Sequence, residues 1–391
     1  MKPTSFEKRV KRRVTARNHT FFAASAPGLK QILANEFATL PLETESFTIA
    51  EGGVVFTGSM KTCYLANLYL GTASRINMEI AEFKAENFRT LEKKLALVEW
   101  ELFLKKKSRI HVEATTQHSR LYHTTAIEER ATRIIGEHLQ KSSPESQETP
   151  SSHRILIRVR EDRFRISLDT SGDLLHKRGI TTRVGAAPLR ATLARAILIR
   201  SGFSGSEPLI DPMCGSGNFT LEAAMMASRI PPGFYRHFAF ENFPCFSQPQ
   251  WNHIKRTAEK DFLKIEQPLI FACDRAGELM DGLEQTIADH NFSDFVSVGK
   301  KEFFDLAPED FTGRTGIVVL NPPYGKRLGE KSELAETYKK IGAKLSRDFK
   351  KWKVAIVLPE PDLAKALPFP TDLHPLFHGG LEIHVATGTI A

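Results

Sequence analysis

Cysteine is scarce in this sequence, with four residues in a chain of 391. The four are scattered at Cys63, Cys214, Cys245 and Cys273, and no two have the close spacing of paired zinc ligands. The 13 histidines form no metal-type cluster either. These absences argue against a disulfide-framed secreted domain and against a metal site. They predict a protein of the reducing cytoplasm.

Long apolar runs are also missing. No stretch approaches the roughly 18 apolar residues that suggest a membrane-spanning helix. The basic start of the chain is not followed by the apolar core of a secretory signal. We therefore expect no membrane association, and nothing in the composition indicates an oligomeric state.

The chain instead carries an excess of positive charge, +8 from 54 Lys and Arg against 46 Asp and Glu. Basic residues crowd two short stretches, 8–13 and 154–165. Such charge suits a polyanionic partner such as RNA. A short charge run is also typical of a solvated tail, so we expect residues 1–18 to be a basic arm that is disordered without RNA.

The most informative segment runs from Asp211 to Asn218 and combines an acid with a glycine turn. Residues 208–210 predict a short buried strand before it, and residues from 218 onward predict a helix after it. This arrangement forms the nucleotide site of doubly wound sheets, where glycines let the backbone approach a ligand. The lack of a Gly-Lys-Ser/Thr ending excludes a phosphate loop, and the acid suits a cationic ligand. The candidate cofactor-binding residues are Asp211, Pro212, Met213, Cys214, Gly215, Ser216, Gly217 and Asn218.

Two later acids follow predicted strands in the same way. Residues 269–273 are apolar and end in Asp274, at a position where an acid commonly binds the ribose hydroxyls of a nucleotide. Residues 295–298 form another predicted strand, followed by Glu302 and Phe303, which we expect to flank an adenine ring. A solvated surface charge is the alternative for each acid. Cys214 could be a nucleophile only with partner groups, so we expect it to pack behind the cofactor.

The tetrapeptide Asn321-Pro322-Pro323-Tyr324 follows a predicted buried strand, 316–320. Its prolines fix φ and remove backbone donors, so we expect the Pro322 carbonyl oxygen to point outward as a hydrogen-bond acceptor. The Asn321 side chain supplies a second acceptor oxygen. Two acceptors on one rigid turn can hold both hydrogens of an exocyclic amino group, and Tyr324 can stack on the attached base. We expect these four residues to be catalytic.

Together these motifs resemble class I S-adenosylmethionine-dependent methyltransferases that modify amino groups. The likeness covers nearly the whole chain, and further motifs that carry it lie at 21–29, 169–179, 187–190 and 321–328. In this combination the sequence resembles bacterial THUMP-domain RNA methyltransferases, in particular the guanine-N2 methyltransferases of large-subunit (23S) ribosomal RNA. The resemblance implies an α/β fold: a Rossmann-like domain with a mostly parallel seven-stranded sheet, preceded by α+β ferredoxin-like and THUMP domains.

The resemblance also implies the chemistry of the site. S-adenosylmethionine would be the cofactor, RNA the partner, and the exocyclic N2 of a guanine in 23S ribosomal RNA the methyl acceptor. The family pattern places Asp211, Gly215 and Gly217 at the methionine end of the cofactor and Asp274 at its ribose. A guanine of transfer RNA, an adenine N6, a glutamine amide and a non-catalytic RNA-binding role are the alternatives that the sequence leaves open.

Two positions depart from the family pattern. Glu302 stands where many relatives have Asp, and Asn218 stands where relatives usually have Thr. Both changes are conservative, and the segment from Asn321 to Tyr324 is intact. We therefore expect an active enzyme.

Alternating strand and helix signals in the first half predict α+β domains that precede the catalytic sheet. We expect strands at 21–25, 75–83 and 109–114, hairpins at 47–57 and 154–168, and helices at 27–39, 62–70, 91–102, 124–139 and 188–200. The predicted domains are a basic arm at 1–18, a ferredoxin-like segment at 19–60, a THUMP RNA-binding domain at 61–170, a connector at 171–186 and the methyltransferase domain at 187–391.

Overall fold

The computed structural model describes residues 4–142, 151–180, 189–275, 277–323 and 331–391. The chain divides into two compact units: the first comprises Met1–Ser25, Leu33–Leu175 and Arg236–Arg256, and the second Ala26–Ile32, His176–Tyr235 and Thr257–Ala391. Residues 236–256 lie within the range predicted for the methyltransferase domain, and their contacts group them with the first unit. They belong to the first unit, where the Tyr64 ring lies 4.5 Å from Phe240 and 6.1 Å from Trp251.

The strands of the first unit are β1 (His19–Ser25), β2 (Ser46–Ala50), β3 (Gly53–Gly58), β4 (Ala73–Lys84), β5 (Arg109–Gln117), β6 (Ser152–Arg160) and β7 (Arg163–Asp169). The helices of this part of the chain are α1 (Ser5–Val10), α2 (Lys30–Thr39), α3 (Met60–Tyr69), α4 (Phe88–Ala96) and α5 (Thr124–Ser142). The strands form one seven-stranded sheet in the order β2-β3-β1-β4-β7-β6-β5.

The first four strands form a ferredoxin-like module. The chain order is β1-α2-β2-β3-α3-β4 and the strand order is β2-β3-β1-β4, which together give the split βαββαβ arrangement. This module needs both α3 and β4. The predicted boundary at residue 60 is therefore wrong, because it separates the third strand from the helix and strand that complete the module.

The amino-terminal arm is ordered from Thr4 onward, and the expectation of disorder is wrong for these residues. Thr4 caps α1 in a capping box with Glu7, and a π-helical segment, Lys11–Thr15, continues from it. Val10 is 6% exposed and Val14 is fully buried. Sequence charge alone suggested a solvated tail, whereas two buried valines hold the arm against the first unit.

Most predicted elements of the first unit are confirmed within a few residues. The predicted helix at 91–102 is the main exception, because α4 ends at Ala96 and a separate 3₁₀ turn follows at Trp100–Leu102. The hairpin turn between β6 and β7 consists of Glu161 and Asp162, both in the left-handed region with φ of 52° and 62°.

The remaining elements are α6 (Ala191–Arg200), β8 (Leu209–Asp211), α7 (Asn218–Ala227), α8 (Gln248–Glu259), β9 (Ile270–Asp274), α9 (Gly277–Asp289), β10 (Val296–Lys300), β11 (Ile317–Leu320), α10 (Lys331–Asp348), β12 (Lys353–Leu358), β13 (Asp372–His378) and β14 (Leu381–Thr389). The sheet of the second unit has the order β10-β9-β8-β11-β12-β14-β13. Its first five strands are parallel and its last two antiparallel, as predicted for a mostly parallel seven-stranded sheet. No helix in the described ranges is long and apolar enough to cross a membrane.

Strand β11 is apolar and buried along its whole length because both faces of the sheet are covered there. In β11, Ile317 and Val319 belong to one buried cluster, whereas Val318 and Leu320 belong to another. Successive side chains of a strand point to opposite faces, so the two clusters are the two faces of the sheet. This core packs around the strands and so positions their ends.

Candidate active site

The two sequence motifs follow neighbouring strands at the topological switch point of the second sheet. From β8 the chain proceeds to β9 and β10 on one side, and then returns to β11 on the other side. Ligands of open α/β sheets bind at such a switch point, outside the carboxyl ends of the strands. Val318 of β11 pairs with Ile210 of β8. Asp211 is one residue beyond that pair and Asn321 three, so both lie at the same edge of strands about 4.8 Å apart.

Asp211 is a fully buried carboxylate with one oxygen left open. The Thr220 hydroxyl donates to Oδ2 at 2.8 Å, while Oδ1 is buried and has no hydrogen-bond partner among the described residues. Burial raises the pKa of Asp211 to about 7; the Thr220 hydrogen bond opposes this rise and the nearby charge of Asp274 adds to it. A buried carboxylate with an open acceptor fits a ligand that is cationic or donates an N–H group.

The glycine turn is held by the neighbouring strand. The Gly215 backbone N–H donates to Asp274 Oδ2 at 2.9 Å. Gly215 and Gly217 have φ of +53° and +79°, where a side chain is strained. A Cβ on Gly215 would meet no atom within 4 Å, whereas a Cβ on Gly217 would lie 2.3 Å from Leu283 Cδ1. Gly215 therefore leaves open space for a ligand, and Gly217 allows the turn to pack against α9.

Cys214 packs in the core of the second unit. It is 9% exposed, and its Sγ lies 3.7 Å from the sulfur of Met280. Burial, with the nearby negative charges of Asp211 and Asp274, raises the pKa of the Cys214 thiol far above its usual range. The thiol stays protonated at neutral pH and is not an activated nucleophile.

The other predicted residues of this loop differ in exposure. Pro212 and Ser216 are buried, whereas Met213 and Asn218 are partly exposed. The Asn218 amide donates to Ser216 Oγ at 3.2 Å, which closes the turn at the start of α7. Their roles in binding the cofactor stay predictions.

The structure does not support the predicted role of the Phe303 ring beside an adenine. Phe303 is 1% exposed and belongs to a core cluster, with its ring 6.4 Å from that of Phe349. Glu302, directly before it, is partly exposed at the start of the 3₁₀ turn Phe303–Asp305. The neighbouring Phe304 is 39% exposed and presents the more accessible ring.

The corner after β11 presents the second open acceptor. Asn321 Oδ1 is buried and has no hydrogen-bond partner among the described residues. Pro322 is buried and Pro323 is exposed, while Tyr324 lies outside the described residues. Leaving a buried acceptor unsatisfied costs about 1–3 kcal/mol. A ligand that donates a hydrogen bond to Asn321 Oδ1 would remove this free-energy cost.

Sequence reasoning missed the polar groups that support this site from α7. Thr220 holds Asp211, and Glu222 accepts hydrogen bonds from Arg178 Nε at 2.7 Å and Arg195 Nη1 at 3.4 Å. Thr220 and Glu222 are both buried in a helix whose other buried residues are apolar. Two polar residues on the otherwise apolar buried side of this helix are the signal that could have identified them.

The fold and this site define a class I S-adenosylmethionine-dependent methyltransferase. The cofactor of this class is a cation that carries a ribose and an adenine, and Asp211, the Gly215 turn and Asp274 are the residues predicted to bind it. The open Asp211 Oδ1 and the open space above Gly215 fit such a group.

The chain belongs to the family of RMKL-like methyltransferases. The model described as "RMKL-like, methyltransferase domain" matches residues 178–369, and the model described as "RlmL ferredoxin-like domain" matches residues 20–77. The second match extends past residue 60, in agreement with the corrected module boundary. The "Putative RNA methyltransferase YpsC" of Bacillus subtilis (strain 168) is 31% identical over 333 residues, which are 83% of this chain and 84% of that protein.

Longer relatives and solved structures agree with this family. The "Ribosomal RNA large subunit methyltransferase K/L" of Syntrophotalea carbinolica is 30% identical over 95% of this chain and 53% of its own length. The chain therefore spans about half the length of that relative. The crystal structure of "SMU.472, a putative methyltransferase complexed with SAH" has a TM-score of 0.83 at 26% identity, covering 96% of this chain and 99% of that one. These findings confirm the predicted fold class, family and cofactor.

Proposed function

We propose that this protein transfers a methyl group from S-adenosylmethionine to the exocyclic N2 of a guanine in large-subunit ribosomal RNA. The observation that carries the proposal is the buried Asn321 Oδ1 at the carboxyl end of β11, which has no hydrogen-bond partner in the part of the chain that the structure describes. It lies at the strand end next to the one that carries Asp211 and the glycine turn.

An amino group is the acceptor that this corner fits best. An exocyclic NH₂ has two hydrogens, and Asn321 Oδ1 can accept one of them. The Pro322 carbonyl is proposed to accept the other, since proline supplies an acceptor but no donor. Holding both hydrogens keeps the nitrogen lone pair from conjugating fully with the ring and directs it towards an electrophile.

The chain's own residues act chiefly by positioning. S-adenosylmethionine supplies a methyl group bonded to a positively charged sulfur. Asp211 and the Gly215 turn would hold it on one side of the switch point, and Asn321 would hold the amino group on the other. The amino nitrogen forms the N–C bond as the S–C bond breaks, and the proton that it then carries leaves to water. Effective molarities on the order of 10⁵ M or more are available from positioning alone.

The proposal that the substrate is ribosomal RNA is supported by the relatives and by the net charge of the chain. The Bacillus subtilis relative is described as an RNA methyltransferase and the Syntrophotalea carbinolica relative as a ribosomal RNA methyltransferase. The net charge of +8 suits a polyanionic substrate. We propose that the part of the first unit after the ferredoxin-like module is the predicted THUMP domain, and that it binds RNA largely through shape and backbone charge.

The decisive experiment is nucleoside mass spectrometry of ribosomal and transfer RNA from a deletion strain. The purified full chain is then added back with methyl-labelled S-adenosylmethionine. We expect N2-methylguanosine to be missing from large-subunit ribosomal RNA of the deletion strain and to be restored, with the label, by the wild-type chain.

The Asn321→Ala variant is the matched control for add-back, and it should bind the cofactor without restoring the label. Label in N6-methyladenosine or in transfer RNA would replace the proposed acceptor with one of the alternatives. Cofactor binding without methyl transfer to any RNA fraction would instead favour a non-catalytic RNA-binding protein.

A further inference from the structure

We infer that the amino-terminal basic helix, residues 4–17, is a preformed binding surface for the RNA backbone. This helix consists of α1, the π-helical segment Lys11–Thr15 and the residues at either end. The inference rests on the proposed function, because it takes RNA to be the substrate. It adds a surface that is separate from the methyl-transfer site.

One side of the basic helix anchors it to the first unit. Val10 and Val14 are four residues apart, share a face and are buried. Arg9 Nη2 donates to Glu101 at 2.5 Å and to Glu99 at 3.1 Å. Glu101 also contacts His138 Nε2 at 2.6 Å. The anchor therefore combines apolar burial with a network of charged groups.

The ion pair between Arg9 and Glu101 keeps both of its charges at neutral pH. Burial alone would raise the pKa of Glu101, but hydrogen bonds from His138 and Arg9 outweigh it and lower that pKa. The hydrogen bond with Glu101, followed by that with Glu99, raises the pKa of Arg9. Glu101 thus stays ionised and Arg9 stays charged. The His19 ring donates to the Val14 carbonyl at 2.8 Å and holds the end of the π-helical segment.

The opposite side of the basic helix is exposed and cationic. Lys8, Lys11 and Arg12 are exposed and have the i, i+3, i+4 spacing of residues on one helical face. No side-chain ion pair in the described part of the chain involves these three residues. Glu7, the one acid in this segment, accepts from the Thr4 backbone N–H at 2.6 Å and sits in the capping box.

A polyphosphate is the partner that this face fits. Arg9 and Arg13 face Glu99, with Arg13 Nε 3.9 Å from it, so the remaining basic residues supply the net charge. Membrane-surface helices need an apolar face for the lipid, and here Val10 and Val14 are already buried in the protein. Lysine and arginine side chains on a helix fixed in place can contact phosphates with little further loss of backbone freedom.

The test compares two triple variants with the same loss of charge. The first is Lys8→Ala/Lys11→Ala/Arg12→Ala, and the control is Lys264→Ala/Lys350→Ala/Lys365→Ala, whose three lysines are exposed in the second unit. The probes are a 20-base-pair RNA duplex of arbitrary sequence and a 20-nucleotide oligouridine, measured by fluorescence anisotropy at several salt concentrations.

We expect the first triple variant to bind RNA about tenfold more weakly, with a log–log salt slope smaller by about 2–3, since each phosphate contact contributes about 0.7–0.9. The control variant should bind RNA like the wild type, and both should bind S-adenosylmethionine normally. Equal RNA affinity in the two triple variants would overturn the inference while leaving the proposed function intact. A wild-type chain that binds neither probe would overturn both.

Val14→Asn tests whether the surface must be anchored, because it keeps every charge and disturbs only the buried side of the basic helix. We expect faster tryptic cleavage within residues 8–13 and RNA binding about threefold weaker, from the lost preorganisation. Faster cleavage with unchanged RNA affinity would show that the cations act as a free tail, contrary to a preformed surface.

Discussion

Glu222 and Asp211 are both buried carboxylates of the second unit, at 1% and 0% exposure, and yet their surroundings are opposite. Glu222 receives hydrogen bonds from two arginines, so its charge is neutralised within the protein. Asp211 accepts one hydroxyl on Oδ2, and its Oδ1 has no partner within the described ranges. Asp211 and Thr220 are only nine positions apart in the chain, and Thr220 lies two positions before Glu222.

The difference separates a structural carboxylate from a ligand-binding one. A buried ion pair that is complete within the chain stabilises the folded arrangement that it holds. A buried carboxylate that lacks a partner is costly, and the cost is removed when a cationic ligand binds. The same distinction identifies Asn321, whose buried Oδ1 also lacks a partner among the residues that the structure describes. Substituting the fully paired Glu222 should therefore reduce stability, whereas substituting Asp211 or Asn321 should reduce ligand binding or catalysis.

The largest effect is expected for Glu222→Gln. The variant leaves the buried Arg178 and the partly exposed Arg195 without their carboxylate, so the free energy of unfolding should fall by about 3–5 kcal/mol. Urea denaturation followed by circular dichroism measures this loss. Solvent-exposed ion pairs contribute less than about 1 kcal/mol. A fall within that range would contradict the structural role of Glu222, because its ion pairs would then stabilise the protein no more than surface ones.

The next largest effect is expected for Asn321→Ala, in the rate of methyl transfer. Loss of one positioning hydrogen bond in a reaction site costs about 10²–10³ in kcat, or about 2.7–4 kcal/mol. Removing an unsatisfied acceptor should leave the free energy of unfolding unchanged or slightly higher. Single-turnover kinetics with labelled cofactor measures the rate. Wild-type turnover by this variant would remove Asn321 from the mechanism.

Asp211→Asn is the counterpart of Glu222→Gln, since both replace a carboxylate by an amide of the same shape. Calorimetry should show S-adenosylmethionine binding weaker by about 1.5–3 kcal/mol, the usual contribution of a hydrogen bond to a charged group. The free energy of unfolding at pH 8 should not fall, because the variant removes a buried charge without a partner. A marked loss of stability would instead class Asp211 with Glu222.

The smallest effect is expected from pH. Burial raises the pKa of Asp211 from 3.8 to about 7 in the folded protein. Its contribution to stability is therefore fully present below pH 4 and is lost as the pH rises towards 7, where the folded state must ionise a buried acid. A cationic ligand favours the ionised form, so cofactor affinity should fall below pH 7 by at most about tenfold, or 1.4 kcal/mol, per pH unit.

Calorimetry at pH 6.5 in buffers of different ionisation enthalpy measures this proton linkage. Proton release on cofactor binding should occur in the wild type and be absent in Asp211→Asn. Equal proton release in both proteins would assign the titration to another group.

Sequence patterns predicted the catalytic sheet well because its signals are local. The apolar run of β11 and the glycine turn after Asp211 each depend on a few consecutive residues. The expectations that depended on packing differ from the structure. Phe303 was expected beside an adenine, but its ring is in the core, and the arm was expected to be disordered, but Val10 and Val14 are buried. The burial of Phe303 cannot be predicted from its being aromatic, and the burial of Val10 and Val14 cannot be predicted from the basic residues around them.

The sequence by itself determined the kind of fold and the two motifs, because strand hydrophobicity, glycine turns and proline geometry are written in neighbouring residues. Tertiary structure alone decided which acceptors stay open. Asp211 Oδ1 and Asn321 Oδ1 are unpartnered among the described residues, while Glu222 is paired with Arg178, which lies 44 positions earlier in the chain. The balance between paired and open polar groups arises from contacts between distant residues, and such contacts exist only after the chain has folded.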